Sequence, residues 1–173
     1  AEVPAVANRL LQSREAMVVW LEEQLQYFLL LDQFRPQGPA IEQIPSRLQK
    51  GDLDARGAIA EILLSTGFSL RNPGNDTFVT VVLEQCLGYR VQDAKNKPIL
   101  DAGKRIYDGK KGKFLGQEGQ NQADLLQIVL THEDFARHLL GREHMRILGA
   151  PLPKDSPAVS RLQQDPKCFF VLV

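Results

Sequence analysis

The chain has 173 residues, 43% of them apolar, enough for one domain with a real core or for two small fused units. Its 21 basic and 21 acidic side chains cancel, so no global field draws in nucleic acid or an anionic membrane. No apolar run approaches the roughly 18 residues needed to cross a bilayer. YFLLL at 27–31 and CFFVLV at 168–173 fall far short.

Residues 6–31 predict a long helix. Leu10, Leu11, Met17, Val18, Leu21, Leu25, Phe28 and Leu29 recur at three- and four-residue spacing and form one apolar stripe with Trp20 beside it. Pro36, Gly38 and Pro39 end it. A short helix is expected from Ala40 to Gln49, broken or begun afresh at Pro45. Residues 53–66 read as the next helix, with Ile59, Ile62, Leu63 and Thr66 inward. Asn72-Pro73-Gly74 is a turn, and Asn75, Asp76 or Thr77 can cap a helix over 77–87 whose inner face holds Phe78, Val82, Cys86, Val79, Leu83 and Leu87. Another helix is expected over 97–108. Residues 108–120, with four glycines and three lysines, predict a mobile, solvated loop. A long helical pattern fills 121–148, with a second start near Thr131–Asp134 in the manner of a capping box. Pro151, Pro153 and Pro157 end it, and a last helix, Ala158 to Gln164, precedes the apolar tail, which either docks in the core or leads onward.

Two phrases recur. LLDQFRP at 30–36, LGYRVQD at 87–93 and LGAPLPKD at 148–155 each close a helical run and open a turn, with Leu31, Leu87 and Leu148 as expected core anchors. GAIAEILLSTGFS at 57–69 parallels ADLLQIVLTHEDFA at 123–136. Recurrence at a fixed period marks a repeated supersecondary unit. The expected fold is all-α: tandem helical repeat-like units packed into one globular domain. They run over 1–69, over 70–138 with the Lys/Gly-rich loop as an insertion, and over 139–173 as a truncated third.

Phe78 leading into Leu87-Gly88-Tyr89-Arg90, the amphipathic helix after it, and the closing Leu130-Thr131-His132-Glu133-Asp134-Phe135 together resemble the helical linker domains of phycobilisomes and related linker-like repeats of secreted bacterial proteins. The sequence differs at Leu31-Asp32, where the pattern has Leu-Gly, and lacks a proline after Arg90. The resemblance implies a non-catalytic, all-helical module that organises other protein subunits.

Signatures of chemistry are sparse. His132, His138 and His144 are spaced six apart, so on a helix neighbours point about 120° apart and do not converge on one ion. Cys86 lies on an apolar face as a buried small hydrophobe, with pairing to Cys168 as the other reading. Asn72 to Asp76 offers two or three oxygen ligands, whereas calcium takes about six to eight; turn and cap is the better account. Asn75-Asp76-Thr77 also fits a glycosylation sequon. No metal, cofactor or catalytic residue is expected. AEVPAVA at the start resembles a mature exported chain cleaved behind small residues, which points to a periplasmic or extracellular site; a trimmed chain is the alternative.

The expected function is therefore structural: a linker or scaffold module that contacts other subunits of an assembly, with a small-molecule or pigment-binding carrier as the alternative. The expected contact residues are the turn positions Phe34, Arg35, Tyr89 and Arg90, and the loop residues Lys110, Lys111, Lys113 and Phe114.

Overall fold

A computed structural model describes residues 12–30 and 38–172. It is predominantly helical, as the periodicity predicts. The chain divides into two compact units: residues up to Arg71 together with those from Gln164 onward, and Asn72–Gln163.

The first unit begins with helix α1, Arg14–Leu29, whose free amides are met at the start by Ser13, accepting from the Ala16 N–H at 3.1 Å. Of its stripe, Met17, Leu21, Leu25, Phe28 and Leu29 are buried as expected, with Trp20 buried beside them; Val18 is half-buried, and Leu10 and Leu11 lie outside the described residues. The expected break at Pro45 is real. Helices α2, Pro39–Glu42, and α3, Ile44–Lys50, flank Gln43, and each carries a proline in its first turn, where no amide proton is missed. Helix α4, Ala55–Leu63, is capped by Asp54, which accepts from Gly57 N–H at 2.8 Å. Helix α5, Thr66–Arg71, is not among the expected helices: the one expected over 53–66 stops at Leu63, and Thr66, expected inward, is exposed at the start of α5. Ser65 starts it, its hydroxyl oxygen accepting from Phe68 N–H at 3.3 Å, and Phe68 is fully buried. Helix α1 packs on α3, α4 and α5, α3 packs on α4, and α4 on α5.

The second unit opens with a slightly shorter helix, 14 residues against 16, and has a far longer closing one, 16 against 6. Helix α6, Gly74–Leu87, ends at Gly88 in the left-handed conformation (φ 69°). A single 3-10 turn, Ala94–Asn96, leads into helix α7, Lys97–Tyr107. Strands β1, Gly112–Phe114, and β2, Gln117–Gly119, form an antiparallel hairpin in which Phe114 faces Gln117. Helices α8, Gln122–Thr131, and α9, Glu133–Leu148, complete the frame. Helix α6 packs on α7, α8 and α9, α7 packs on α8, and α8 on α9. These five pairings have counterparts in the first unit, which in addition packs α2 on α3 and on α4.

Three expectations need correction. The third unit proposed from residue 139 does not start there, because α9 runs unbroken from Glu133 to Leu148. Residues 139–163 belong to the second unit, where α10, Pro157–Gln164, buries Val159 and Leu162. The tail belongs to the first: after a 3-10 turn, Pro166–Cys168, α11 (Phe169–Leu172) buries Phe169, whose ring centroid lies 5.5 Å from that of Trp20, while Phe170 stands edge-on at 5.3 Å. Such offset and T-shaped ring contacts are favoured by the aromatic quadrupole. Second, Leu148 is 65% exposed and anchors nothing; Leu87 is buried as expected, and Leu31 lies outside the described residues. Third, the helix start near 131–134 is capped by His132, whose Nδ1 accepts from Asp134 N–H at 3.0 Å; the Thr131 hydroxyl instead turns back to the Gln127 carbonyl at 2.7 Å.

Candidate functional site

The glycine- and lysine-rich loop is ordered structure. Leu115 (φ 50°) and Gly116 (φ 81°) make the two-residue turn of a tight hairpin, which needs positive φ at both positions. Phe114, expected as an exposed contact, is buried. Its ring packs on α7 at Gly103, where a Cβ would lie 3.3 Å from Phe114 Cε2 and 2.7 Å from Val79 Cγ1. Burying the ring fixes the hairpin against the helix, so this segment completes the core of the second unit. Lys110, Lys111 and Lys113 remain exposed, and Lys111 lies 3.6 Å from the Glu118 carboxylate across the hairpin. Exposed pairs of this kind contribute little to stability.

Tyr89 and Arg90 sit just past the end of α6. The Tyr89 hydroxyl donates to Asp134 Oδ2 at 2.5 Å and ties the turn to the start of α9; burial and this bond push its pKa up. Arg90 is exposed, and its carbonyl accepts from the buried Asn96 side-chain amide at 2.8 Å. The two residues line a small recess with Gly88, Asp93, Lys95, Asn96 and Ile99. Phe34 and Arg35 lie outside the described residues.

The larger feature of this unit escaped sequence reading. A groove of about 680 Å³ runs along α9. Its floor is one face of the helix: Asp134, Arg137, His138, Gly141, Arg142 and Met145, spaced by three and one in alternation. That spacing is the single stripe a helix presents to a neighbour. Leu87 and Gly88 from the end of α6 and Pro151-Leu152 after α9 also line it. Arg137 donates to Glu133 Oε1 at 2.8 Å and to the Lys154 carbonyl at 2.8 Å. Arg146 binds Glu143, which is 2% exposed, at 2.5 and 3.0 Å. Met145 is half exposed, and Ile147 and Leu148 continue an apolar surface beyond it.

The three histidines do separate jobs. His132 caps α9. His144 Nδ1 lies 2.7 Å from the Ala150 carbonyl and holds the turn after the helix. His138 wedges between α9 and the end of α6, so close to Gly88 that a Cβ there would lie 2.8 Å from His138 Nδ1. Burial, and then the Arg142 charge, lower its pKa; its hydrogen bond with the Gln85 backbone acts in the opposite direction. The ring is therefore neutral near pH 7, and the charge of the groove comes from its arginines. Among the described residues no three His, Cys, Asp or Glu side chains are grouped to hold a metal ion. Cys86 and Cys168 are not joined in a disulfide, and burial pushes the Cys86 thiol up to about 12, far from the thiolate a nucleophile needs. No described helix is long and apolar enough to cross a membrane.

No protein-family model, curated protein or solved structure matches this chain.

Proposed function

We propose that the chain is a non-catalytic protein-interaction module, a linker or scaffold element, that holds a partner subunit through its second unit. The observation that carries this reading is the α9 groove: a full helix face, about 17 Å long at 1.5 Å per residue, lined by Asp134 through Met145. Helix faces laid open between flanking walls are a recurrent mode of protein recognition. Leu87 and Gly88 at one wall begin the Leu87-Gly88-Tyr89-Arg90 segment that resembles phycobilisome-type linkers, which supports the same class of role. A photo-crosslinking residue at Met145, in cells of the source organism, is expected to trap one partner protein and to lose it with Arg142→Glu. The same residue at Leu70, exposed in the first unit, serves as control. Absence of any specific adduct at Met145 would overturn the reading.

A second reading draws on the groove's volume, which suits a small apolar anion. Under it, native mass spectrometry of the purified chain shows a bound small molecule. A bare chain mass, together with a Met145 adduct, decides for the partner protein.

A further inference from the structure

The middle of the groove holds a glycine that the fold does not require. Gly141 lies within the 16-residue helix α9, eight residues from its start at Glu133. A glycine there costs about 1 kcal/mol relative to alanine. Neither usual reason for that cost applies: Gly141 is not among the positive-φ glycines, and a Cβ built on it meets nothing within 4 Å. Gly88 and Gly103 differ, since a Cβ on either would strike a side chain of the chain itself. The bare patch at Gly141 is therefore room left for something outside the chain. A small residue at the centre of a helix face is what lets a second backbone approach closely.

The flanks give the occupant its chemistry. Among the residues lining the groove, Arg137, Arg142 and Arg146 stand against the single carboxylate of Asp134, which already accepts the Tyr89 hydroxyl. Arg137 pairs with Glu133 four residues back, with both side chains well exposed, 39% and 57%, and a pair so exposed is weak enough to exchange for a partner's carboxylate. Arg146 stays with the nearly buried Glu143, which would be left an unpaired buried charge without it. Met145, Leu87 and Leu152 add apolar contact. We infer that the groove seats an acidic amphipathic helix of a partner protein, which crosses α9 at Gly141, its apolar side against Met145 and Leu152 and its carboxylates against the arginines. This rests on the interaction reading above and names the partner's chemistry.

The test uses the full chain and three labelled helical peptides of about 16 residues: one with a leucine stripe flanked by glutamates, one with lysines in place of the glutamates, and one with neutral glutamines. Fluorescence anisotropy is expected to show the glutamate peptide binding at least about tenfold more tightly than the other two, weakening as salt is raised. Gly141→Leu is expected to abolish that binding while the chain unfolds at an unchanged or higher temperature, because the added side chain enters open space within the protein. Arg142→Glu is expected to reverse the preference toward the lysine peptide. Equal binding of all three peptides, preference for lysine by the unaltered chain, no binding of any, or full binding by Gly141→Leu would each overturn the inference. The Met145 crosslink then reports separately whether the interaction reading survives: a trapped partner without an acidic helix sinks the inference alone, and no adduct sinks both.

Discussion

The two units solve one packing problem with different resources. Each opens with a helix that packs on the three main helices after it, and each buries a phenylalanine, Phe68 or Phe135, at the start of its closing helix. The first unit is spare: α3 passes to α4 through residues 51–54, and its closing helix α5 is six residues long. The second inserts a hairpin at the corresponding point and extends its closing helix to 16 residues. The hairpin's extra surface is turned inward by Phe114. The extension of α9 buries Leu139 and Leu140 on one side and adds Gly141, Arg142 and Met145 to the groove on the other. The packed helices account for stability, and in the proposed reading the added helix length carries recognition.

The comparison breaks most visibly if the hairpin is not core. Phe114→Ala is expected to destabilise the second unit by about 3–5 kcal/mol, read by urea unfolding, whereas Lys110→Ala and Lys113→Ala stay within about 0.5 kcal/mol. Equal, small effects for all three would return the segment to a solvated loop.

The two helix ends sharpen it next. Gly88 and Leu30 both take positive φ, 69° and 51°, after the first helix of their units. Gly88 also faces His138 at close range, whereas Leu30 is 65% exposed. Gly88→Ala should cost about 1–3 kcal/mol from backbone strain and the clash. Leu30→Gly should be neutral or stabilising by up to about 1 kcal/mol, because it removes strain and little burial. Thermal unfolding of the two variants checks the opposite signs.

Helix starts should respond alike. Asp54 caps α4 and Asn121 caps α8, the latter accepting from Asp124 N–H at 2.9 Å. Alanine at either position is expected to cost about 1 kcal/mol, with similar losses in both units by the same unfolding assay.

The smallest expected effect is a pH dependence confined to the second unit, since the first contains no histidine. The folded pKa of His138 lies below its ordinary 6.5, so at mildly acidic pH the unfolded chain takes up that proton first. Its contribution to stability is therefore flat above about 6.5 and falls as pH drops from there toward the folded pKa. His138→Gln should flatten the second unit's stability over that window, measured by urea unfolding at stepped pH.

Much of the frame was legible because helical periodicity records burial directly. The stripe from Met17 to Leu29, the Pro45 break and the two helices meeting near residue 132 all follow from spacing and from proline chemistry. The hairpin was misread because glycine and lysine report exposure only on average. Gly116 serves the turn, while Gly119 makes room, a Cβ there lying 3.2 Å from Ile128 Cδ1. Phe114, apolar and flanked by the turn, was the residue that signalled packing. Helix α5 was missed because Asn72-Pro73-Gly74 drew the turn too early, although Ser65 and Phe68 carried the cap and the core contact. The groove was hidden for a different reason. Its floor mixes Arg137, His138, Gly141 and Met145, which on a helix face read as ordinary solvated positions. Only the packing of α6 and of Pro151-Leu152 beside them makes a groove, and only the empty space around Gly141 marks that glycine.

The most direct test of the division between frame and recognition is backbone NMR of the full chain, titrated with the glutamate-flanked peptide. The account predicts shift changes along one path, at Gly88, His138, Gly141, Arg142, Met145 and Leu152, with the hairpin residues Lys110 to Lys113 and the first-unit helices α4 and α5 unmoved. Shifts centred on the hairpin, or on the first unit, with α9 silent, would contradict it.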